Sequence, residues 1–414
     1  MFRRNNKFII YNTLTMKRKI FEARNRDEVM KKYYDKLQSL KVIVPNNFSP
    51  KKALEKYFKN RYENTPAFSG VIYLMLGFNC NMNCKYCFIK KSNEKINKAT
   101  INKLLEMCKE NKNERIHIRF YGGEPILYFS QIKYIIKRVK ELDLESTYAL
   151  PTNGTLLNEK ICKFIKKHDI SVMVSIDGPE EINDLMRVDI NNNGTFEKIV
   201  NGIKILEYYD IQYQIAVTIH NHNINELPEV INYLYETFHP SFVNFNYPYL
   251  TQSLQFKYST DYLVDKVFEA INKSREFETL PGNFYEDKVK PFLTETPTSL
   301  DCGGVEGHIV VLPSNNISPC IAAQGIDRMV KDLNSYRRIL EIFRDDPFQK
   351  WKRLNLKALQ DCHYCPAISI CGGGCPIINL KKENIFLSDE INCKITKRSL
   401  EYLLESELNE RQTI

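Results

Sequence analysis

The sequence predicts an α/β protein built on a parallel sheet, and three features carry that expectation. Short β-branched or aromatic runs alternate with amphipathic stretches across residues 71–274, cysteines gather in two groups, and basic charge is concentrated at one end. The runs are Val71–Leu76, Arg115–Tyr121, Ser146–Pro151, Ser171–Ile176, Gln212–Ile219 and Phe242–Tyr247. Helical periodicity lies between and after them, near 98–111, 129–142, 158–168, 195–209, 225–238 and 260–274. Strands alternating with helices of this length read as βαβ units on a parallel sheet. Six units are two short of a closed eight-fold barrel, so the periodicity fits a partial barrel or a doubly wound sheet.

The 414 residues suggest two to three domains and can bury a large core without covalent staples. Gly and Pro are scarce enough to exclude collagen-like or Pro/Gly-rich disordered architecture. The longest apolar run, Val71–Leu76, is far short of the ~20 residues that span a bilayer. Phe8–Tyr11 is too short for a signal-peptide core, so a soluble, cytoplasmic protein without membrane association is expected.

Residues 1–66 carry 17 Lys/Arg against 6 Asp/Glu, and this segment holds the whole basic excess of a chain with net charge +9. Such asymmetry suits an acidic partner, although a solvated helix face has the same composition. Within the segment, Phe8–Thr13 and Lys19–Ala23 read as a hairpin. Val29, Tyr33, Leu37 and Leu40 mark an amphipathic helix over 27–40, and a second helix fits 50–62. Beyond residue 280 the pattern turns to cysteines, glycines and short loops, as in a domain folded around metal.

Ten of twelve cysteines are clustered, and in a reducing compartment clustered cysteines bind metal rather than pair. Cys108 and Cys162 stand alone in helical patterns and read as packing residues. Cys80, Cys84 and Cys87 form a C-x3-C-x2-C run directly after the first strand. Three thiolates satisfy three irons of a cubane and leave the fourth open, whereas a fully ligated cluster takes four. A three-thiolate zinc site is the bland alternative, with no nearby histidine to complete it.

This spacing, with Tyr86 between the last two cysteines, resembles the signature of the radical S-adenosylmethionine (SAM) superfamily. Three further motifs and an arginine follow in order. Gly122-Gly123-Glu124-Pro125 follows the second strand, Thr152-Asn153-Gly154-Thr155 the third, and Ser175-Ile176-Asp177-Gly178-Pro179 the fourth, with Arg187 beyond. The resemblance implies a partial (βα)6 barrel with a site-differentiated [4Fe-4S] cluster on Cys80, Cys84 and Cys87. It also implies SAM bound by Tyr86, Gly122, Gly123, Glu124, Asn153, Ser175, Asp177 and Arg187. The GGEP segment would hold the methionine amino group, Arg187 its carboxylate, and Tyr86 and Phe88 would pack near the adenine.

The second cysteine group resembles the SPASM extension, which carries two auxiliary iron–sulfur clusters of [4Fe-4S] type. Its core is Cys362-x2-Cys365-x5-Cys371-x3-Cys375 followed by Cys393, with Cys302 and Cys320 upstream around a hairpin through His308–Leu312 and Asn315-Asn316. Carried across, Cys302, Cys320 and Cys375 hold one cluster, and Cys362, Cys365, Cys371 and Cys393 the other; a pair of zinc sites is the alternative. Thr296 occupies the neighbourhood of a further family cysteine, so the resemblance implies a first cluster with three cysteines and a fourth position for a substrate thiolate, a water or a non-Cys ligand. Asn315-Asn316 stands where the family has a turn glycine, and asparagine tolerates left-handed backbone.

Sulfatase maturases of this family place an aspartate base directly after the second upstream cysteine, and here Ile321 follows Cys320. The hairpin and helix of residues 1–66 resemble leader-peptide-binding modules, which hold a peptide by strand addition. The expected protein therefore has three parts: residues 1–66 for recognition, 67–280 as the barrel and 281–414 as the auxiliary-cluster domain. It is expected to be an oxidoreductase that uses a 5′-deoxyadenosyl radical to crosslink a ribosomally made precursor peptide through a thioether or C–C bond. Its partners would be that peptide with its leader and an electron donor such as flavodoxin or ferredoxin, with no role for nucleic acid. Sulfatase-maturase-like dehydrogenation, small-molecule radical oxidation and a zinc-stabilised binding scaffold are the alternatives. No residue is singled out by spacing as catalytic acid or base.

Overall fold

The computed structural model describes all residues except 65–67, 112–114, 248–255, 299–301, 303, 305–306, 324, 352–361, 378–389 and 411–414. The chain forms two compact units, one of Met1–Thr65, Phe284–Cys302 and Lys352–Ile414, the other of Pro66–Asn283 and Gly303–Trp351. This division differs from the three consecutive parts read from the sequence, whose first boundary, at 66/67, falls outside the described residues. It interleaves the chain because residues after 302 return to the barrel sheet.

The N-terminal sheet has three antiparallel strands, β1 (Phe2–Arg4), β2 (Lys7–Tyr11) and β3 (Arg18–Glu22), in that order. β1 was not expected from the sequence; a two-residue Asn5-Asn6 loop with Asn5 at φ 54° joins it to β2. Such loops require left-handed backbone, which asparagine accepts. The expected helix over 27–40 is two pieces, α1 (Arg26–Lys32) and α2 (Tyr34–Ser39), and α3 spans Pro50–Asn64. Phe8, Ile10 and Phe21 pack with Val29 and Leu37 into one apolar core. The last helix, Glu390–Glu410, packs on β1 and β2. Arg18 lies over the Phe292 ring at 3.9 Å and pairs with Glu407.

In the larger unit, β4 (Val71–Met75), β5 (Ile116–Tyr121), β6 (Ser146–Thr152), β7 (Ile170–Ser175), β8 (Tyr213–Thr218) and β9 (Val243–Asn246) are parallel and adjacent in chain order. The helices between and after them are α4 (Lys98–Glu110), α5 (Phe129–Glu141), α6 (Glu159–Lys167), α7 (Glu180–Met186), α8 (Phe196–Tyr208), α9 (Leu227–Phe238) and α10 (Thr260–Arg275). Sequential order with right-handed crossovers places every connecting helix on one face of the sheet. The alternating burial of the strands follows, with Ile116, Ile118 and Phe120 buried and His117, Arg119 and Tyr121 less so. Asn97, Asn158 and Ser259 accept from the first-turn amides of α4, α6 and α10, which sets where those helices start. Cys108 and Cys162 are buried on α4 and α6.

β10 (Ile309–Val311) joins the sheet parallel to β4, and β11 (Asn316–Ser318) and β12 (Lys331–Asp332) extend it. The hairpin turn has Asn315 at φ 64°, the left-handed conformation its asparagine suits. His308, just before β10, packs against Tyr73 with ring centroids 5.0 Å apart, and its Nε2 lies 2.9 Å from the Pro319 carbonyl. Burial, with a smaller push from Arg119, lowers its pKa to about 4. The folded chain thus favours neutral imidazole. That stability is fully present above the unfolded pKa near 6.5 and is lost as pH falls toward 4, by up to about 3 kcal/mol. Urea titrations at pH 7 and 4.5 should show this loss in the native chain and a smaller loss in His308→Gln.

Candidate active site at the strand ends

The three-cysteine loop is held by backbone hydrogen bonds on two sides. On one side the Gly123 amide donates to the Gly77 carbonyl and the Glu124 amide to the Asn79 carbonyl, each at 3.0 Å. On the other, the Asn83 amide donates to Val188 at 2.7 Å and the Lys85 amide to Met186 at 2.9 Å. A β carbon on Gly123 would lie 2.2 Å from the Asn79 carbonyl oxygen, and one on Gly122, at φ 150°, 2.5 Å from that of Gly77. Both positions therefore need glycine. The Tyr128 hydroxyl accepts from the Asn79 amide at 3.0 Å, a support that nothing in the sequence singles out.

Glu124 is buried and fully engaged. Its carboxylate accepts from the Ile126 amide at 3.0 Å, the Thr152 hydroxyl at 2.7 Å and the Asn153 amide at 2.8 Å. Burial raises its pKa, opposed by those hydrogen bonds and by Arg187. The residue thus ties the end of β5 to the end of β6. Asn153 reaches the cysteine loop, donating to Asn81 Oδ1 at 3.0 Å and lying 3.8 Å from Cys80 Sγ.

A second cluster sits at the ends of β7 and β8. Tyr86 donates to Asp177 Oδ2 at 2.6 Å and accepts from Arg187, whose Nη1 is 3.8 Å from Asp177 Oδ1. The Thr218 amide donates to Asp177 Oδ1 at 2.9 Å. His220 stacks on Tyr86, with centroids 6.1 Å apart. Its Nδ1 accepts from the His222 amide, which leaves the proton of the neutral ring on Nε2, 3.7 Å from Asp177. Burial would raise the Asp177 pKa, but the Arg187 charge together with His220 and Tyr86 brings it below the usual carboxylate value. Asn183 and Asn223 brace the Asp177 backbone. His220, Asn183 and Asn223 carry no local motif and were missed by the sequence reading; the turn into α7 brings Asn183 to Asp177, and the tertiary fold brings His220 and Asn223. Ser175 is the last residue of β7 and is half-buried.

The fit to SAM and a cluster rests on two features. Arg187 Nε is buried without a hydrogen-bond partner among the described residues, an orphan donor suited to a carboxylate. The loop offers thiols alone, and burial pushes Cys84 up to about 11 and raises Cys80. Thiols so protonated become ligands when a metal cation replaces the proton. Among the described residues no three His, Cys, Asp or Glu side chains converge to ligating distance.

Comparison with known proteins agrees with this geometry. Residues 74–234 match the Radical SAM superfamily. The chain carries a radical SAM domain. It is 24 % identical over 321 residues to a cysteine-type anaerobic sulfatase-maturating enzyme of Clostridium novyi, covering 72 % of this chain and 85 % of that one. The radical SAM cyclopropyl synthase TigE of Paramaledivibacter caminithermalis is 24 % identical, covering 82 % and 74 %. An uncharacterized protein of Methanocaldococcus jannaschii is 38 % identical over 37 % of this chain, which spans about half of that relative (54 %). In fold, the chain resembles native anSMEcpe with bound AdoMet (TM-score 0.72, 21 % identity, 83 % of this chain and 100 % of that one). It also resembles Streptococcus suis SuiB bound to precursor peptide SuiA (TM-score 0.59, 17 % identity, 92 % and 95 %).

The smaller unit brings other predicted ligands together. Cys362, Cys365, Cys371 and Cys393 line one cavity with Ile368 and Lys397, and among the described residues its lining holds no carboxylate or imidazole. Gly372, Gly373 and Gly374 all have positive φ, which lets the chain double back between Cys371 and Cys375. Leu54, Phe58 and Ile368 form the apolar floor under Cys362 and Cys365. The remaining predicted set is divided, with Cys320 after β11 in the barrel unit and Cys302 and Cys375 in the other. No helix among the described residues is long and apolar enough to cross a membrane.

Two substitutions check the site. Gly123→Ala should leave far-ultraviolet circular dichroism unchanged while displacing the cysteine loop, lowering reductive SAM cleavage about 100-fold. Arg187→Ala leaves the Asp177 carboxylate buried without its cation and should cost about 3–5 kcal/mol in urea unfolding.

Proposed function

We propose that the protein is a radical SAM peptide maturase of SPASM type, which oxidises a ribosomally made precursor peptide and crosslinks it through a thioether or C–C bond. The observation that carries the reading is the co-occurrence of the clamped three-cysteine loop with a separate four-thiol cavity. With SAM and a reduced cluster bound, the site supplies a 5′-deoxyadenosyl radical able to take hydrogen from an unactivated carbon. The chain's own residues bind and orient. Cys80, Cys84 and Cys87 would hold the cluster, Gly122 and Gly123 set the loop's approach, and Arg187 Nε would meet the SAM carboxylate. Tyr86, Asp177 and His220 fix that arginine in place, and Glu124 and Asn153 keep the strand ends together. Cys362, Cys365, Cys371 and Cys393 would ligate one auxiliary cluster and Cys302, Cys320 and Cys375 another, which would accept the substrate electron.

Relatives that mature sulfatases offer a second reading, but Ile321 opposes it. Its side chain packs with Met75, Val310 and Leu312 and offers no proton acceptor. A SuiB-like fold in a chain whose first 66 residues hold an excess of base fits a peptide partner with an acidic leader.

Protein purified without oxygen should carry about 12 irons, as expected of three four-iron clusters, with an electron paramagnetic resonance signal that changes on adding SAM. A precursor peptide should then lose two mass units. Zinc in place of iron, or about four irons indifferent to SAM, would overturn the reading.

A further inference from the structure

The six parallel strands contain a single formal charge. Across β4 to β9 there is no Asp, no Glu and no Lys at any position, and Arg119 is the only Arg. It lies on the face opposite the buried Ile118 and Phe120, hence away from the crossover helices. The side chain is exposed, although it is in the middle of a central strand.

Its surroundings are polar without being acidic. Arg119 Nη1 donates to the Tyr73 hydroxyl at 2.6 Å, and the guanidinium carbon is 5.1 Å from the Tyr73 ring centroid. No carboxylate pairs with it among the described residues. On the same face His117 Nδ1 meets the Thr147 hydroxyl at 2.6 Å. Beside Arg119 in the register are Ala149 and then Ser171, small side chains that leave the guanidinium open on that flank. Three residues further along the chain is Gly122, so the Arg119 backbone lies about 10 Å before the first of the glycines that clamp the cysteine loop.

An exposed guanidinium with no counter-charge among the described residues keeps free donors that an anion from outside the fold can take. Its planar fork matches a carboxylate, and a charge-assisted pair there would fix a substrate's register relative to the strand ends. We propose that Arg119 anchors a carboxylate of the substrate, an Asp or Glu side chain in the peptide that the proposed function requires. This specificity is separate from the basic excess of residues 1–66, because it acts inside the barrel unit on the segment to be modified rather than on a leader.

The test uses the full-length protein, loaded with its clusters under anaerobic conditions, to select from a phage-displayed random heptapeptide library. The native chain should enrich Asp or Glu about tenfold or more over Asn or Gln at one position. Arg119→Gln should lose that preference, Arg119→Lys should keep its sign, and Arg119→Glu should select Lys or Arg instead. Equal iron content and circular dichroism across the variants exclude misfolding. Absence of acidic enrichment in the native chain, or enrichment unchanged in Arg119→Gln and Arg119→Glu, would overturn the proposal. The selection reads binding alone, so failure of SAM cleavage would sink the maturase reading without touching the anchor, and the converse holds equally.

Discussion

The hydrogen bonds that clamp the cysteine loop between Gly77–Asn79 and Asn83–Lys85 are the constraint on which the site depends. One set ties the loop to the glycines after β5 and the other to the segment after α7. Each side carries a chemical group to the loop with it. The β5 side brings Glu124 and, through it, Asn153 of the next strand. The α7 side brings Arg187, whose terminal nitrogen then meets Tyr86 of the loop itself. Four short backbone contacts thus assemble residues drawn from more than a hundred positions of sequence.

Buried charge is rationed around that clamp. Glu124 is satisfied by three donors without a cation in hydrogen-bond contact, and burial raises its pKa. Asp177 faces Arg187 and His220, and its pKa falls. The two carboxylates therefore differ in role, one acting as a strut between strands and the other as the counter-charge that keeps an arginine in place. Arg119 has neither arrangement, and among the described residues its hydrogen-bond partner is a tyrosine hydroxyl.

The smaller unit solves a different problem, that of holding thiols in a loop with little regular structure. Phe58 and Leu54 of α3 supply an apolar floor with Ile368, and Tyr11 of β2 hydrogen-bonds Ser369 beside it. Burial pushes the Tyr11 phenol up to about 12, so it stays protonated as a donor or acceptor at any physiological pH. Residues near both ends of the chain are thereby committed to the same core.

The strands β4 to β9 and six of the helices were legible in the sequence because each is a local periodic pattern with its own cap or break. The cysteine spacings were legible for the same reason, since ligands within a loop are set by covalent distance. β1 escaped because three residues, one half-buried and two exposed, are too short to show a period. His220, Asn223 and Tyr128 escaped because their partners lie far away in sequence, and Asn183, six residues from Asp177, because its type is common in ordinary helices and turns. β10 was read as part of the cysteine-rich domain, whereas it pairs with β4 of the barrel sheet, because three apolar residues pair with any open edge of matching register. Local pattern therefore determined the elements and the ligand-bearing loops. Packing across the sheet alone decided which distant side chains meet, because that choice depends on strand register and crossover hand rather than on any neighbouring residue.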